Sequence, residues 1–207
     1  VTGTSLSLEN SVETGGAINI AVAGTTTIVN DLSLNATAST ATIAGSLAGP
    51  GSLNISAAGN VTIGGAAGSG TGELGALIMT SANGSIETHG ARTLGSQSYS
   101  PAASKLLLLD GSYQTGNASL AVTTANATTL ATGNLTLSTG SGNISFAGDV
   151  LANTPGTQNL TVLSSGVTTF GGAVGNESGL AAATFFNLFA TDVGGSTRFA
   201  ENATALF

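Results

Sequence analysis

Asn134-Leu135-Thr136-Leu137 returns 25 residues later as Asn159-Leu160-Thr161-Val162. Beside it, Ile144-Ser145-Phe146-Ala147-Gly148-Asp149-Val150 returns as Thr168-Thr169-Phe170-Gly171-Gly172-Ala173-Val174. Each fragment alternates apolar and polar residues, the period-two pattern of a strand that buries one face. Two strands recurring together at a near-constant step separate a solenoid from a sandwich or a barrel. A further step of 25 places Phe185 at the position of Leu160, and Ser196-Thr197-Arg198-Phe199 continues the second line. Residues 180–190 also fit a helical face through Phe185, Phe186, Leu188 and Phe189, but the register favours a strand. Toward the N-terminus the step falls to about 20, from Leu34 to Leu53 and from Ile43 to Ile63.

The same alternation appears in Leu6-Ser7-Leu8, Ile18-Asn19-Ile20, Leu53-Asn54-Ile55, Val61-Thr62-Ile63 and Leu120-Ala121-Val122. Between these runs stand Pro50-Gly51, Gly59-Asn60, Asn83-Gly84 and Pro155-Gly156, pairs that supply tight corners. A unit of roughly 20–25 residues cannot bury its own apolar face and must stack on neighbours like itself. Stacking at roughly 4.8 Å per coil predicts an all-β parallel β-helix, or β-solenoid, of roughly eight to ten coils. Residues 1–207 read as one such repeat domain. Residues 66–75 look like a loop, and residues 96–104, with Pro101, like a bulge or protruding corner before the apolar run 106–109.

Composition agrees with a thin rod. Apolar residues make up 41% of the chain but charged ones only 6%, and there is no Trp or Cys. Outward Ser, Thr and Asn can hydrogen-bond from coil to coil, whereas a ladder of like charges would repel itself. Arg92, Lys105 and Arg198 are the only full cations, against ten Asp and Glu. That excludes a nucleic-acid partner and disfavours an anionic membrane surface, both of which need clustered bases. No apolar run approaches the roughly 20 residues that span a bilayer. The first residues carry no charged segment leading into an apolar one, so an export signal is expected outside this stretch.

The candidate chemistry is sparse. Asp31, Asp110, Asp149 and Asp192, with Glu9, Glu13, Glu73, Glu87, Glu177 and Glu201, are spread singly, with no two at one offset in successive coils. Glycosidase-like work needs paired carboxylates, so the expectation is a non-catalytic chain without a cofactor. Gly171-Gly172 and Gly194-Gly195 lack the Asp of calcium-binding nonapeptides. His89 has no second His or Cys for a zinc site and reads as a solvent-facing turn residue. Adjacent Thr pairs such as Thr128-Thr129 would point to opposite faces, unlike a flat ice-binding array. Asn-x-Ser/Thr triplets occur at Asn35, Asn54, Asn60, Asn83, Asn117, Asn126, Asn134, Asn143, Asn159, Asn176 and Asn202. These are candidate glycosylation sites, although alternation alone generates the Asn-Leu-Thr pattern.

The cadence of NLTLSTGSGNISFAGDV (134–150), NLTVLSSGVTTFGGAVG (159–175) and IETHGARTLGSQSYS (86–100) resembles the repeats of filamentous-haemagglutinin-type exoproteins, which are bacterial adhesins exported by two-partner secretion. The resemblance runs from about Leu6 to Phe199. It implies a right-handed β-helix shaft at the outer surface of a Gram-negative bacterium or outside it, serving adhesion and biofilm structure. Flanking coils or further copies stacked end to end, and host-cell or matrix glycans, would be its partners. Neither end reads as a polar capping coil, so the expectation is an excerpt of a longer solenoid or a subunit that stacks. Two other readings stand beside this one. A carbohydrate-active β-helix enzyme or phage tail-spike-like shaft predicts an acidic, aromatic-lined groove; a self-assembling extracellular fibre predicts coil-to-coil polymerisation.

Overall fold

The computed structural model describes residues 2–3, 5–22, 24–68, 72–175, 185–191 and 194–200, and within them every element is a strand and every strand pairing is parallel. The chain winds as a β-solenoid with coils of roughly 23 residues. About seven turns, from Ile18 to Phe170, carry strands or bridges on all three walls, and shorter strands add to each end. The first wall runs through Ile18–Val22, Ala41–Ile43 and Val61–Ile63. The second begins with Leu6–Leu8, Thr25–Ile28 and Ser46–Ala48. The third is a nine-stranded sheet from Val12–Thr14 to Ser196–Phe199.

Period-two alternation now has a spatial meaning. Along the third wall Leu34, Ile55, Met79, Tyr99, Val122, Phe146 and Phe170 stack in register, one per coil, and all are buried. Ile20, Ile43 and Ile63 form a matching column on the first wall. At the C-terminal end the column becomes aromatic: Phe146 and Phe170 stack at 5.5 Å with an interplanar angle of 2°, and Phe199 follows Phe170 at 5.4 Å. A single dry cluster runs from Ile18 to Phe186, which is how such short strands acquire a core.

Corners are closed by a second device. A short polar side chain in one turn accepts the backbone N–H of the next turn. Ser11 Oγ takes Ser33 N, Asp31 Oδ1 takes Ser52 N and Asn60 Oδ1 takes Ser85 N. Asn134 Oδ1 takes Asn159 N, Asn143 Oδ1 takes Val167 N, and Asp149 Oδ1 takes Ala173 N. The distances lie between 2.7 and 2.9 Å. The Ser52 bonds hold the Asp31 carboxyl below the usual carboxylate range. Backbones also approach closely at these corners. A Cβ added to Gly142 would meet the Ala118 carbonyl oxygen at 2.0 Å, so only glycine fits there.

Several expectations need correction in register. Leu160 pairs with Phe189, not Phe185, because the last coil is longer than 25 residues. Leu53 pairs with Leu32, and Leu34 with Ile55. Residues 97–100 form a third-wall strand with Gln97 and Tyr99 buried, Pro101 is buried as well, and the exposed corner is confined to residues 103–105. Within 66–75, Ala67 and Leu74 are bridged and buried in the core. For residues 180–190, the described part holds the strand Leu188–Thr191; residues 180–184 lie outside the description.

Candidate functional site

Mid-rod, the strands Ile86–Thr93 and Leu106–Thr115 each bend from the first wall into the second without breaking. Gly90 and Gly111, with φ of 82° and 80°, occupy the bends, a left-handed conformation that glycine adopts without strain. The register slips there, between His89 and Ala91 and between Leu109 and Gly111. Tyr113, fully buried, fixes the elbow from inside. Its hydroxyl donates to the Thr88 carbonyl at 2.7 Å and accepts the Gly90 N–H at 3.1 Å. Tyr99 meets the Tyr113 ring edge-on at 6.1 Å and donates to Gln97 Oε1. The Gln97 amide in turn donates to the Ala91 and Gln114 carbonyls. Burial pushes both phenols well above the usual tyrosine range.

The outer surface of this elbow gathers the charge. His89 Nδ1 lies 3.0 Å from Asp110 Oδ1, its in-register neighbour one turn on, and Nε2 lies 3.4 Å from Glu87 Oε1. Arg92 Nε pairs with Glu73 Oε1 at 2.5 Å. The chain has three Lys and Arg, ten Asp and Glu and one His, and five of those fourteen side chains meet here. Every ion pair among the described residues is in this cluster. Two adjoining hollows follow the elbow along the rod axis. One of about 370 Å³ is lined by Ala66, Gly68, His89, Arg92, Ser112 and Gln114. The other, about 350 Å³, is lined by Glu73, Arg92, Gln114, Thr115, Ser138 and Gly140. Arg92 and Gln114 border both, so the two form one continuous groove.

The sequence expectations are met unevenly. His89 is a strand residue held between two carboxylates, not a free turn residue, because it stands in register with the next coil's Asp110 and two residues along its own strand from Glu87. Glu87 and Asp110, expected to stand singly, share that imidazole. Asp31 and Asp149 spend their carboxylates on backbone N–H groups, while Asp192, Glu177 and Glu201 lie outside the described residues. Ser112 and Gln114 were not singled out, and Arg92 only as one of the three cations. A signal existed: His89-Gly90 and Asp110-Gly111 repeat 21 residues apart, one coil length, and so mark a recurring bend beside an ionisable group.

Nine of the eleven triplet asparagines lie among the described residues; Asn176 and Asn202 do not. Asn54, Asn60, Asn83, Asn117, Asn126, Asn134 and Asn143 are exposed, and Asn35 and Asn159 partly so. Asn60, Asn117, Asn134 and Asn143 use Oδ1 as the inter-turn acceptor, Asn117 toward Ser141 N at 3.1 Å. Asn159 Oδ1 accepts Asn187 Nδ2. At Asn60, Asn134 and Asn143 the triplet has a structural origin: a corner Asn that clasps the next turn, an inward apolar residue, then an outward hydroxyl.

No family model, curated protein or solved structure matches the chain. Among the described residues no group of three His, Cys, Asp or Glu side chains is placed to hold a metal ion. No described helix is long and apolar enough to cross a membrane.

Proposed function

We propose that this chain is a structural and adhesive β-solenoid of a filament on, or secreted from, the surface of a Gram-negative bacterium, without a catalytic role. The supporting observation is the repeated inter-turn clasp. Polar corner groups are satisfied by the neighbouring turn, and inward side chains pile into columns, so the sequence is devoted to extending a stiff rod. The scarcity of charge fits that use, because like charges would otherwise repeat at every coil. Among the described strands, Val12–Thr14 and Ser196–Phe199 pair on one side only, and Val12 and Phe199 are 42% and 40% exposed. Edges of this kind accept further coils, from the same chain or another copy. Host-cell or matrix glycans are the second class of partner.

Immunogold labelling of intact source cells with antibodies raised against the rod tests this. The expected result is label on filaments outside the envelope, removed by protease added to whole cells. Label that appears only after lysis refutes it.

A further inference from the structure

We infer that the elbow groove is a binding site for neutral, hydroxyl-rich oligosaccharide chains. The groove crosses successive turns along the rod axis, from the coil of Ala66 and Gly68 to that of Ser138 and Gly140. Three coil steps span about 14 Å, a shape suited to an extended chain and not to a compact metabolite. The polar groups facing it are of complementary kinds. The Glu73 carboxylate accepts, the Arg92 guanidinium donates, and Gln114, Ser112 and Ser138 do both. A sugar hydroxyl is itself both donor and acceptor, so it can bridge neighbouring groups of this mixed set.

The internal bonds leave capacity unused. The Arg92–Glu73 pair engages Nε, and the terminal guanidinium nitrogens have no protein acceptor among the described residues. The Gln114 backbone carbonyl is taken by Gln97, while its exposed side-chain amide has no protein partner among them. The Arg92 side chain is 58% exposed and that of His89 36%, so these groups are within reach of a ligand. Charge and lining exclude the competitors. The groove's own Glu73 is joined by Glu87 and Asp110, which flank His89 beside it, and in a chain of net charge −7 this surplus of carboxylate repels a polyanion. The apolar part of the lining is limited to the methyl groups of Ala66, Ala67 and Ala91 and to backbone and stem carbons, and no large aliphatic or aromatic side chain is present to anchor a lipid or an apolar peptide.

Both tyrosines are buried beneath the elbow, so no ring is free to stack on a sugar face. Single-site affinity is therefore expected to be weak, on the order of 1 mM. Repetition of the rod would then supply avidity. A sugar ligand gives the adhesive role proposed above its partner and rests on that role for its setting only, so surface labelling and sugar binding succeed or fail separately.

His89, the single histidine, is a built-in reporter, since its ring signals in an NMR spectrum arise from the groove alone. Soluble gluco-, manno- and galacto-oligosaccharides are titrated into the full chain, with alginate oligosaccharide and spermine as polyanionic and polycationic comparators. A saturable shift of the His89 ring signals with at least one neutral sugar is expected. Arg92→Ala and Gln114→Ala should each weaken it by about fivefold to tenfold, while Asn54→Ala, on another wall, leaves it unchanged. Both substituted side chains are exposed, and unchanged circular dichroism verifies their fold. Response to alginate alone, to spermine alone, or to none of the probes overturns the inference, as does binding indifferent to both groove substitutions.

Discussion

Replacing Tyr113 with Phe isolates what holds the elbow. The ring is fully buried and Phe preserves its packing, so the change deletes one hydroxyl that serves two buried backbone groups, the Thr88 carbonyl and the Gly90 N–H. Leaving a buried polar group without its partner costs about 1–3 kcal/mol, and partial relaxation of the flexible Gly90 bend brings the pair to about 2–4 kcal/mol in all. For a chain of this size each kcal/mol lowers the melting temperature by about 2–4 °C, so a fall of about 4–16 °C is expected. Tyr99→Phe is the matched comparison. It removes one hydroxyl bond, to the Gln97 side-chain oxygen, and should cost about 1 kcal/mol. Stacked repeats can open locally, so thermal circular dichroism is paired with amide hydrogen exchange over 86–93. Exchange at the elbow should quicken in Tyr113→Phe well before the remainder of the rod. If Tyr113→Phe melts with the wild type, or if both variants lose the same stability with no local increase in exchange, the hydroxyl is not the staple described here.

Thr26 and Thr88 point inward, and each buries a hydroxyl without a partner. Thr26→Val and Thr88→Val should each stabilise by about 1–2 kcal/mol in denaturant titrations, and a loss would reveal a bound water or a hidden bond. Gly142→Ala forces a Cβ against the Ala118 carbonyl and should lower the melting temperature severely or prevent folding. Gly15→Ala, with nothing within 4 Å and no positive φ, should be neutral or stabilise by up to about 1 kcal/mol. The phenols of Tyr99 and Tyr113 are raised in the folded state above their unfolded value of about 10, so their share of stability is complete below that pH and is lost above it. Tyrosinate absorbance should therefore appear together with unfolding in an alkaline titration. Ionisation at about pH 10 with the fold intact contradicts the burial of both rings.

The solenoid was legible because inward aliphatic residues repeat together with their turn residues, and stacking leaves such a unit no other way to bury its face. Phe146 with Phe170, and Ile43 with Ile63, were aligned correctly from pattern alone. Register failed where the corners change length. The step from Leu160 to its partner Phe189 holds residues that periodicity cannot count, and Leu32 and Leu34 are equivalent to a period-two reading. The elbow, apart from the repeated His89-Gly90 and Asp110-Gly111 pairs, was hidden for a different reason. Its charges lie between residues 73 and 110, and the pairs that form across coils join residues 21 apart at His89 and Asp110 but 19 apart at Glu73 and Arg92, separations that no local pattern announces. Tyr113 reads in sequence as one more inward residue, and nothing local shows that its hydroxyl reaches back to the previous turn.

The corner clasps have a polarity. At Ser11, Asp31, Asn60, Asn134, Asn143 and Asp149 the acceptor belongs to the earlier turn and the amide to the later one. A chain that winds as its N-terminal part emerges first thus meets a waiting acceptor at each of these corners, and every finished coil is a template for the one that follows. Winding from the opposite end would leave each new corner's side chain to find an amide already committed to its place. The rod has a grain, and winding from the N-terminal end runs along it.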